Sequence, residues 1–336
     1  MQTGKMGDVS SFFKGYHYIS LETLADNLIS NIDKIQIWNN QLWILDKKTA
    51  IYIFDLSGKY VRQFNHRGQG PGEYLDIADF QVAKGKVYIL SRSLKKILVY
   101  DDMGTFVKSY HLDDFYDFFY LTNDVALLYS NYSNNKLYNV ITFDLSTERY
   151  GKKFLPFPEN QSFSFPISPF NISANSKILL TQQYDYTVYS LQTDSISAIA
   201  SFDFDTKEQL PDDIYKREGF YNAYEKLRDK SVVKRISYVC REGDVMYIMY
   251  ILDYKYVMTK VHLSSAANQS LILEYNDKIP YIFANPIMMY GQCLVTYLNA
   301  SDVLKFDKGF KSDKKNSGVL SEEDNPILFF NELNFN

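Results

Sequence analysis

Short apolar runs alternate with polar turns along most of the chain, and the runs have the length of strands. Leu42-Trp43-Ile44-Leu45-Asp46 is followed by Ile51-Tyr52-Ile53-Phe54-Asp55, and a turn through Ser57-Gly58-Lys59 leads into Tyr60-Val61. The same order returns as Val87-Tyr88-Ile89-Leu90-Ser91, Ile97-Leu98-Val99-Tyr100-Asp101 and Met103-Gly104-Thr105-Phe106-Val107. Asp55 maps onto Asp101 and Gly58 onto Gly104 at an offset of 46, and a weaker copy, Val140-Ile141-Thr142-Phe143-Asp144-Leu145-Ser146, places Asp144 43 residues after Asp101. Gly58 and Gly104 stand where a tight hairpin needs positive φ, which glycine adopts without steric penalty. A unit of roughly 40–50 residues built from three or four short strands marks a β-propeller blade. Helical repeats of that length would show a 3.6-residue period and strong helix formers, and neither is present.

Continuing the count predicts blades at about 32–64, 77–110, 116–154, 168–204 and 232–274, with a sixth assembled from about 281–300 and 326–334. Tyr16-His17-Tyr18-Ile19-Ser20-Leu21 has no repeat of its own. A surplus strand at one end and an incomplete blade at the other predict a ring closed by joining the termini, which removes sheet edges that template aggregation. The expected fold is therefore all-β: one six-bladed propeller of four-stranded antiparallel blades over residues 12–336, preceded by a flexible segment 1–11. Two segments interrupt it. Residues 206–230 are expected as a helical insertion, begun by Pro211 with Asp212 and Asp213 and carrying a stripe of Ile214, Tyr221, Tyr224 and Leu227 that Gly219 interrupts. Residues 301–325, with Lys311, Lys314, Lys315, Glu322, Glu323 and Asp324, are expected as an exposed polar loop.

Composition supports a globular chain: of 336 residues 46% are hydrophobic and 23% charged. The 29 Tyr and 24 Phe favour half-buried pleated surfaces. A net charge of −4, with Lys and Arg scattered, excludes a nucleic-acid footprint and a polybasic lipid anchor. The longest apolar run, Val245 to Leu252, is too short to span a bilayer, so no transmembrane segment is expected. Met1 to Ser11 lacks the apolar core of a signal peptide, so the chain is expected to be either cytoplasmic or an exported protein whose signal has been cut. Cys240 and Cys293 lie far apart in apolar runs without any CxxC; two buried thiols are expected, with a disulfide between them as the alternative.

Tyr18-Ile19-Ser20-Leu21-Glu22-Thr23, Ile32-Asp33-Lys34-Ile35, His66-Arg67-Gly68-Gln69-Gly70-Pro71-Gly72-Glu73-Tyr74 and Asp324-Asn325-Pro326-Ile327-Leu328 resemble a bacterial family of six-bladed β-propeller proteins of unknown function, distantly related to NHL-repeat propellers. The resemblance spans nearly the whole chain, is strongest over residues 16–110, and has the segment from Gly68 to Tyr74 as its most specific element. It implies the fold, the blade count and a cell-envelope setting, as a periplasmic or outer-membrane-anchored lipoprotein with its signal removed. It carries no catalytic residues.

Gly68 to Gly72 invites a phosphate-cradle reading, but Pro71 removes one N–H and the following segment is a strand rather than a helix. A tight connector between blades one and two is the expected role. His66, Arg67, Gln69, Glu73 and Tyr74 are the candidate binding residues, since they bring polar groups to a blade entrance; the alternative is a structural Arg67–Glu73 ion pair. His17, His66, His111 and His262 fall in different blades without ligand spacing, so no catalytic metal is assigned; a structural Ca²⁺ on carboxylates and carbonyls is compatible with the sequence. There is no GxSxG elbow and no nominable carboxylate pair. The run Phe115-Tyr116-Asp117-Phe118-Phe119-Tyr120 is expected to fill gaps between blades, with sugar or peptide stacking as its alternative. The expected function is a non-enzymatic binding or scaffold propeller, monomeric, for a small molecule, glycan, peptide or protein. The rival is an NHL-like hydrolase or lyase with a channel-bound divalent metal. A third possibility has the helical insertion dock a partner.

Overall fold

The computed structural model describes residues 9–159, 165, 167–173, 177–205, 207, 219–273, 286–306 and 320–336. A short helix α1 (Val9–Phe12) leads into β1 (Phe13–Ser20). Blade one is β2–β5 (Lys34–Trp38, Gln41–Leu45, Ile51–Asp55, Tyr60–Phe64), and blade two is β6–β9 (Asp79–Ala83, Lys86–Ser91, Lys96–Asp101, Phe106–His111). Blade three is β10–β13 (Phe118–Thr122, Val125–Tyr129, Tyr138–Asp144, Arg149–Pro156), and blade four is β14–β17 (Phe170–Ile172, Ile178–Leu180, Thr187–Leu191, Ile196–Ser201). Blade five is β18–β21 (Ile236–Glu242, Val245–Leu252, Lys255–His262, Asn268–Leu273). Blade six takes β22–β24 (Pro286–Tyr290, Cys293–Leu298, Ile327–Leu333) and is completed by β1, which pairs antiparallel with β24 from Phe13↔Leu333 to Ser20↔Ile327. Six four-stranded sheets result, and the first strand of the chain seals the last.

The apolar core lies between the blades. Trp43, Leu45 and Ile53 of blade one meet Phe80, Ile89 and Tyr100 of blade two. The last such cluster joins Val295, Leu328 and Phe330 of blade six to Leu42, Ile44 and Phe54 of blade one, so the ring is closed by packing as well as by pairing. Asn325 fastens the same seam: its Oδ1 accepts from Ile29 N at 2.8 Å, while its Nδ2 donates to Glu22 O at 2.9 Å and Asn27 O at 3.1 Å.

The repeated aspartates have a local explanation. Asp55 Oδ1 accepts from Ser57 N at 2.8 Å and Lys59 N at 3.0 Å, and Asp101 Oδ1 accepts from Met103 N at 3.1 Å and Thr105 N at 2.7 Å. Asp144 does the same for Ser146 N and Thr147 N. Each carboxylate ends the third strand and holds the turn into the fourth, a bond pattern short polar side chains make with nearby backbone. Gly58 is needed for more than its φ of +82°, because a Cβ there would stand 2.2 Å from Ser20 O.

Asp46 anchors the opposite end of blade one. It is fully buried and accepts from Ser30 N at 2.8 Å, Ser30 Oγ at 2.8 Å, Asn31 N at 3.4 Å and Lys48 N at 3.0 Å. Burial pushes its carboxyl up, but these hydrogen bonds together outweigh burial and hold it below the ordinary 3.8. Asp46→Ala should lose about 2–3 kcal/mol, since donors ordered around a charged acceptor are left unpaired. A carboxyl lowered on folding stabilises above its unfolded value and loses that contribution as pH falls through the folded one. The gap in thermal midpoint between wild type and Asp46→Ala should therefore be wide at neutral pH and narrow below the model-compound value of 3.8. A gap of equal width on both sides would contradict this assignment.

Two expectations about irregular segments are corrected over part of their length, and the expected helical insertion is found with two details changed. Within the expected flexible segment 1–11, residues Val9–Phe12 form α1, because Phe12 is fully buried beneath blade five. Within the expected polar loop 301–325, residues Ala300–Phe306 form helix α3, where Ala300 and Val303 bury their side chains in the cluster between blades five and six. Lys311, Lys314 and Lys315 lie outside the described residues, whereas Glu322 and Glu323 are exposed. A helix α2 spans Phe220–Leu227, and Gly219 precedes it at φ 77° rather than interrupting it. Ala223 and Leu227 bury against Tyr132, Phe157, Phe165 and Tyr184, while Tyr221, expected in the apolar stripe, is 63% exposed. Pro211, Asp212, Asp213 and Ile214 lie outside the described residues.

Candidate functional site

The inner strands β2, β6, β10, β14, β18 and β22 surround the ring axis and together line a cavity of about 320 Å³. Inner strands expose backbone groups that no ladder satisfies, and buried groups of that kind need partners. Side chains from one blade supply them to the next. Gln36 Nε2 donates to Val82 O at 2.6 Å and its Oε1 accepts from Val82 N at 2.7 Å; Gln81 repeats this with Leu121 O at 3.1 Å and Leu121 N at 2.6 Å. A primary amide carries one donor end and one acceptor end, so it completes a backbone unit as a neighbouring strand would. Asn171 Oδ1 accepts from Val239 N at 3.3 Å, which carries the device from blade four to blade five.

Asp79 is the most connected of these groups. Its Oδ1 takes Lys34 Nζ at 2.7 Å and its own neighbour Phe80 N at 2.8 Å, and its Oδ2 takes Phe119 N at 3.0 Å. One buried carboxylate thus joins three blades. Lys34 Nζ also donates to Phe80 O at 2.7 Å. The contacts 34–80, 36–82, 79–119 and 81–121 show that successive inner strands point the same way around the ring.

The cavity wall divides by polarity. Its polar side, along β2 and β6, has its carboxylate and amides occupied by blade-to-blade bonds. Along β14 and β22, the latter next to β2 in the ring, the wall offers Ile172, Ile287, Met288 and Met289, all half-buried, with Tyr290 44% exposed. Tyr120 and Tyr238 also line the cavity, and burial raises the pKa of both phenols, so they stay protonated donors. At the end where inner strands begin, Lys47 Nζ lies 5.1 Å from the Phe118 ring centroid.

The loop from His66 to Tyr74 lies elsewhere, after the outer strand of blade one. Tyr74 is fully buried; its hydroxyl accepts from His66 N at 3.0 Å and its N–H donates to His66 O at 3.1 Å. His66 stacks on Tyr100 at 5.0 Å, and burial lowers its pKa while the nearby Glu73 pulls it back up. Arg67 donates to the carbonyls of Thr49 and Lys47, and Glu73 Oε2 accepts from Gly70 N at 2.7 Å, so these two side chains hold backbone rather than each other. Gln69 is exposed. The five residues are neighbours in one folded connector, and none lines the channel cavity. The aromatic run packs between blades: Tyr116 and Phe119 fill the cluster between blades two and three, and Phe118, with Tyr120 against it, that between blades three and four; Phe118, Phe119 and Tyr120 also border the cavity.

None of the four histidines stands on an inner strand; His17 is in β1, His66 follows β5, His111 ends β9 and His262 ends β20. Among the described residues no three His, Cys, Asp or Glu side chains gather closely enough to hold a metal ion, so the divalent-metal rival gains no support from them. Cys240 and Cys293 are free thiols.

A model of a family described as a domain of unknown function (DUF4934) matches residues 1–332. The chain belongs to the DUF4934 family. The architecture of this DUF4934 chain is similar to that of a Bacteroides fragilis protein described as exported, with a TM-score of 0.79 at 20% identity over 97% of this chain and 96% of the other. It is also similar to a DUF4221 family member from Bacteroides vulgatus, with a TM-score of 0.59 at 9% identity over 96% and 97% of the two chains. At these identities the likeness shows the fold alone. No curated protein matches the DUF4934 sequence. Among its described residues no helix is long and apolar enough to cross a membrane.

Proposed function

We propose that this chain is a non-enzymatic binding propeller of the bacterial cell envelope, which takes an apolar portion of a small molecule, glycan or protein partner into its channel. The observation that carries this reading is the divided cavity. Lys34, Gln36, Asp79 and Gln81 are committed to holding blades together, so what the cavity offers an occupant is the apolar wall of Ile172, Ile287, Met288 and Met289, with the hydroxyls of Tyr120 and Tyr238 and the charged ends of Asp33 and Lys47 as its few polar contacts. Pockets that bind small groups are mostly apolar with a few fixed polar contacts. Asp79, whose oxygens already accept three hydrogen bonds, has little capacity left to act as a base. The envelope setting is supported by the Bacteroides fragilis neighbour described as exported.

Nile red, a neutral apolar dye, tests the proposal. The wild-type protein should bind it saturably near one equivalent with a blue-shifted emission. Met288→Trp and Ile287→Trp, which fill the cavity, should each weaken binding at least tenfold while the circular dichroism spectrum is kept. Equal dye affinity in wild type and both folded variants would overturn the channel as the binding site.

A further inference from the structure

A second cavity, of about 340 Å³, opens at the end of the ring where the inner strands begin. Its chemistry differs from that of the channel. Arg235, immediately before β18, lines it as a half-buried guanidinium whose hydrogen bonding among the described residues is one long contact, Nε to Ile236 O at 3.5 Å, and which joins no ion pair among them. Burial lowers its pKa from the usual value, while the nearby phenols of Tyr129 and Tyr132 pull it partly back up; no carboxylate accompanies it among the described residues. Lys234 beside it donates to Arg228 O at 2.8 Å and keeps two further N–H groups, and Lys230 is exposed on the rim.

The rim adds an apolar element. Ile167, Ile251 and Tyr254 border the same cavity and are 44%, 42% and 86% exposed. Tyr254 follows Asp253 in the turn between β19 and β20, with φ of 62° and 51° respectively, a hairpin geometry that glycine and asparagine adopt at lower cost. A bulky ring is therefore held in an unfavourable backbone conformation at the mouth of a basic pocket.

We propose that this cavity binds a carboxylate attached to an apolar group, the chemistry shared by the C-terminus of a peptide with a hydrophobic last residue and by a free arylalkanoic acid. The guanidinium fork matches a carboxylate bidentately, Lys234 and Lys230 add charge, and the rim covers the apolar substituent. Asp229 and Asp253 on the same lining oppose a doubly charged phosphate. This site is separate from the channel and does not depend on the reading given for it.

Calorimetric titration with 3-phenylpropionate, with N-acetyl-Ala-Ala-Phe and with its C-terminal amide decides the matter. At least one free carboxylate should bind saturably, the amide at least tenfold more weakly than the acid. Arg235→Gln should weaken binding tenfold or more, and Tyr254→Ser several-fold. Tighter binding of the peptide identifies a chain end as ligand, and tighter binding of phenylpropionate a small acid; either supports the site. Because Arg235 is a half-buried cation without a carboxylate partner among the described residues, Arg235→Gln should leave the thermal midpoint unchanged or raise it, an outcome a structural role would reverse. Equal affinities for acid and amide, tighter binding of phenyl phosphate, unaltered binding by folded Arg235→Gln, or no binding of any carboxylate would overturn the proposal. Nile red binding in the channel should be the same in Arg235→Gln and wild type.

Discussion

A chain lacking residues 1–20 is expected to aggregate on expression rather than to form a five-and-three-quarter-bladed monomer. β1 contributes the fourth strand of blade six through seven paired positions with β24. Phe12 and Phe13, at the head of that strand, are 0% and 5% exposed, and Phe12 O accepts from Asn334 N at 2.8 Å. Two fully buried phenylalanines contribute roughly 4–6 kcal/mol at about 2–3 each. Ladder hydrogen bonds add about 0.5–1.5 kcal/mol apiece. The sum is comparable to the roughly 5–15 kcal/mol by which whole domains are stable. Removing the strand also leaves β24 as a long apolar edge, buried at every position but Glu332 in the intact ring. A synthetic peptide spanning residues 9–22, supplied during refolding, should restore a monomer of native circular dichroism. If the truncated chain elutes as a monomer and melts within a few degrees of the full-length one, closure by β1 is not what holds the ring.

The parts of this fold legible in the sequence are those encoded by short-range chemistry. Asp55, Asp101 and Asp144 recur because each caps a turn with its own neighbours' N–H groups, so the signal lies within five residues and survives as a repeat. Gly58 and Gly104 were visible for the same reason, at φ +82° and +97°. The closing strand was visible as a surplus, since Tyr16 to Leu21 had apolar positions and no partner unit. The helices were harder. α3 is hard to see because it is only seven residues long: Ala300, Val303 and Leu304 stand at helical spacing and pack into one cluster, but so short a stripe at the edge of a polar stretch carries little signal.

The channel was harder still. Lys34, Gln36, Asp79 and Gln81 look like the polar faces of half-exposed strands, and their bonding partners stand about 40–46 residues away in the next blade. One signal was available. Lys34 to Asp79 and Gln36 to Gln81 share an offset of 45, so polar side chains return at matched positions of the first strand, where an exposed face would tolerate drift. The glycine-rich loop drew attention instead because its composition is unusual. Its shape follows from packing: a Cβ on Gly68 would stand 1.9 Å from Glu73 Oε2, and Gly72, at φ +77°, packs against Phe106.

Asp79 should be the most sensitive single position in the ring. Truncation to alanine leaves Lys34 Nζ, whose side chain is 28% exposed, without the carboxylate 2.7 Å away, and leaves Phe119 N without an acceptor. Removing one partner of a buried pair costs about 3–5 kcal/mol, far more than the net worth of the pair, because the remaining charge stays desolvated. The partial exposure of Lys34 places the expected loss at the lower part of that range, about 3 kcal/mol, or about 6 °C in thermal midpoint at about 2 °C per kcal/mol for a chain this large. Asp79→Asn keeps an acceptor for Phe119 N and should lose less. Adding Lys34→Met to Asp79→Asn removes the stranded ammonium and should recover part of the loss, so the two substitutions will not be additive. Lys34→Met alone should be milder than Asp79→Ala, since the carboxylate keeps Phe119 N and Phe80 N. An Asp79→Ala protein that melts within about 1 °C of wild type would mean that the inner strands are held by packing between blades alone, and that the polar contacts around the channel contribute nothing to its shape.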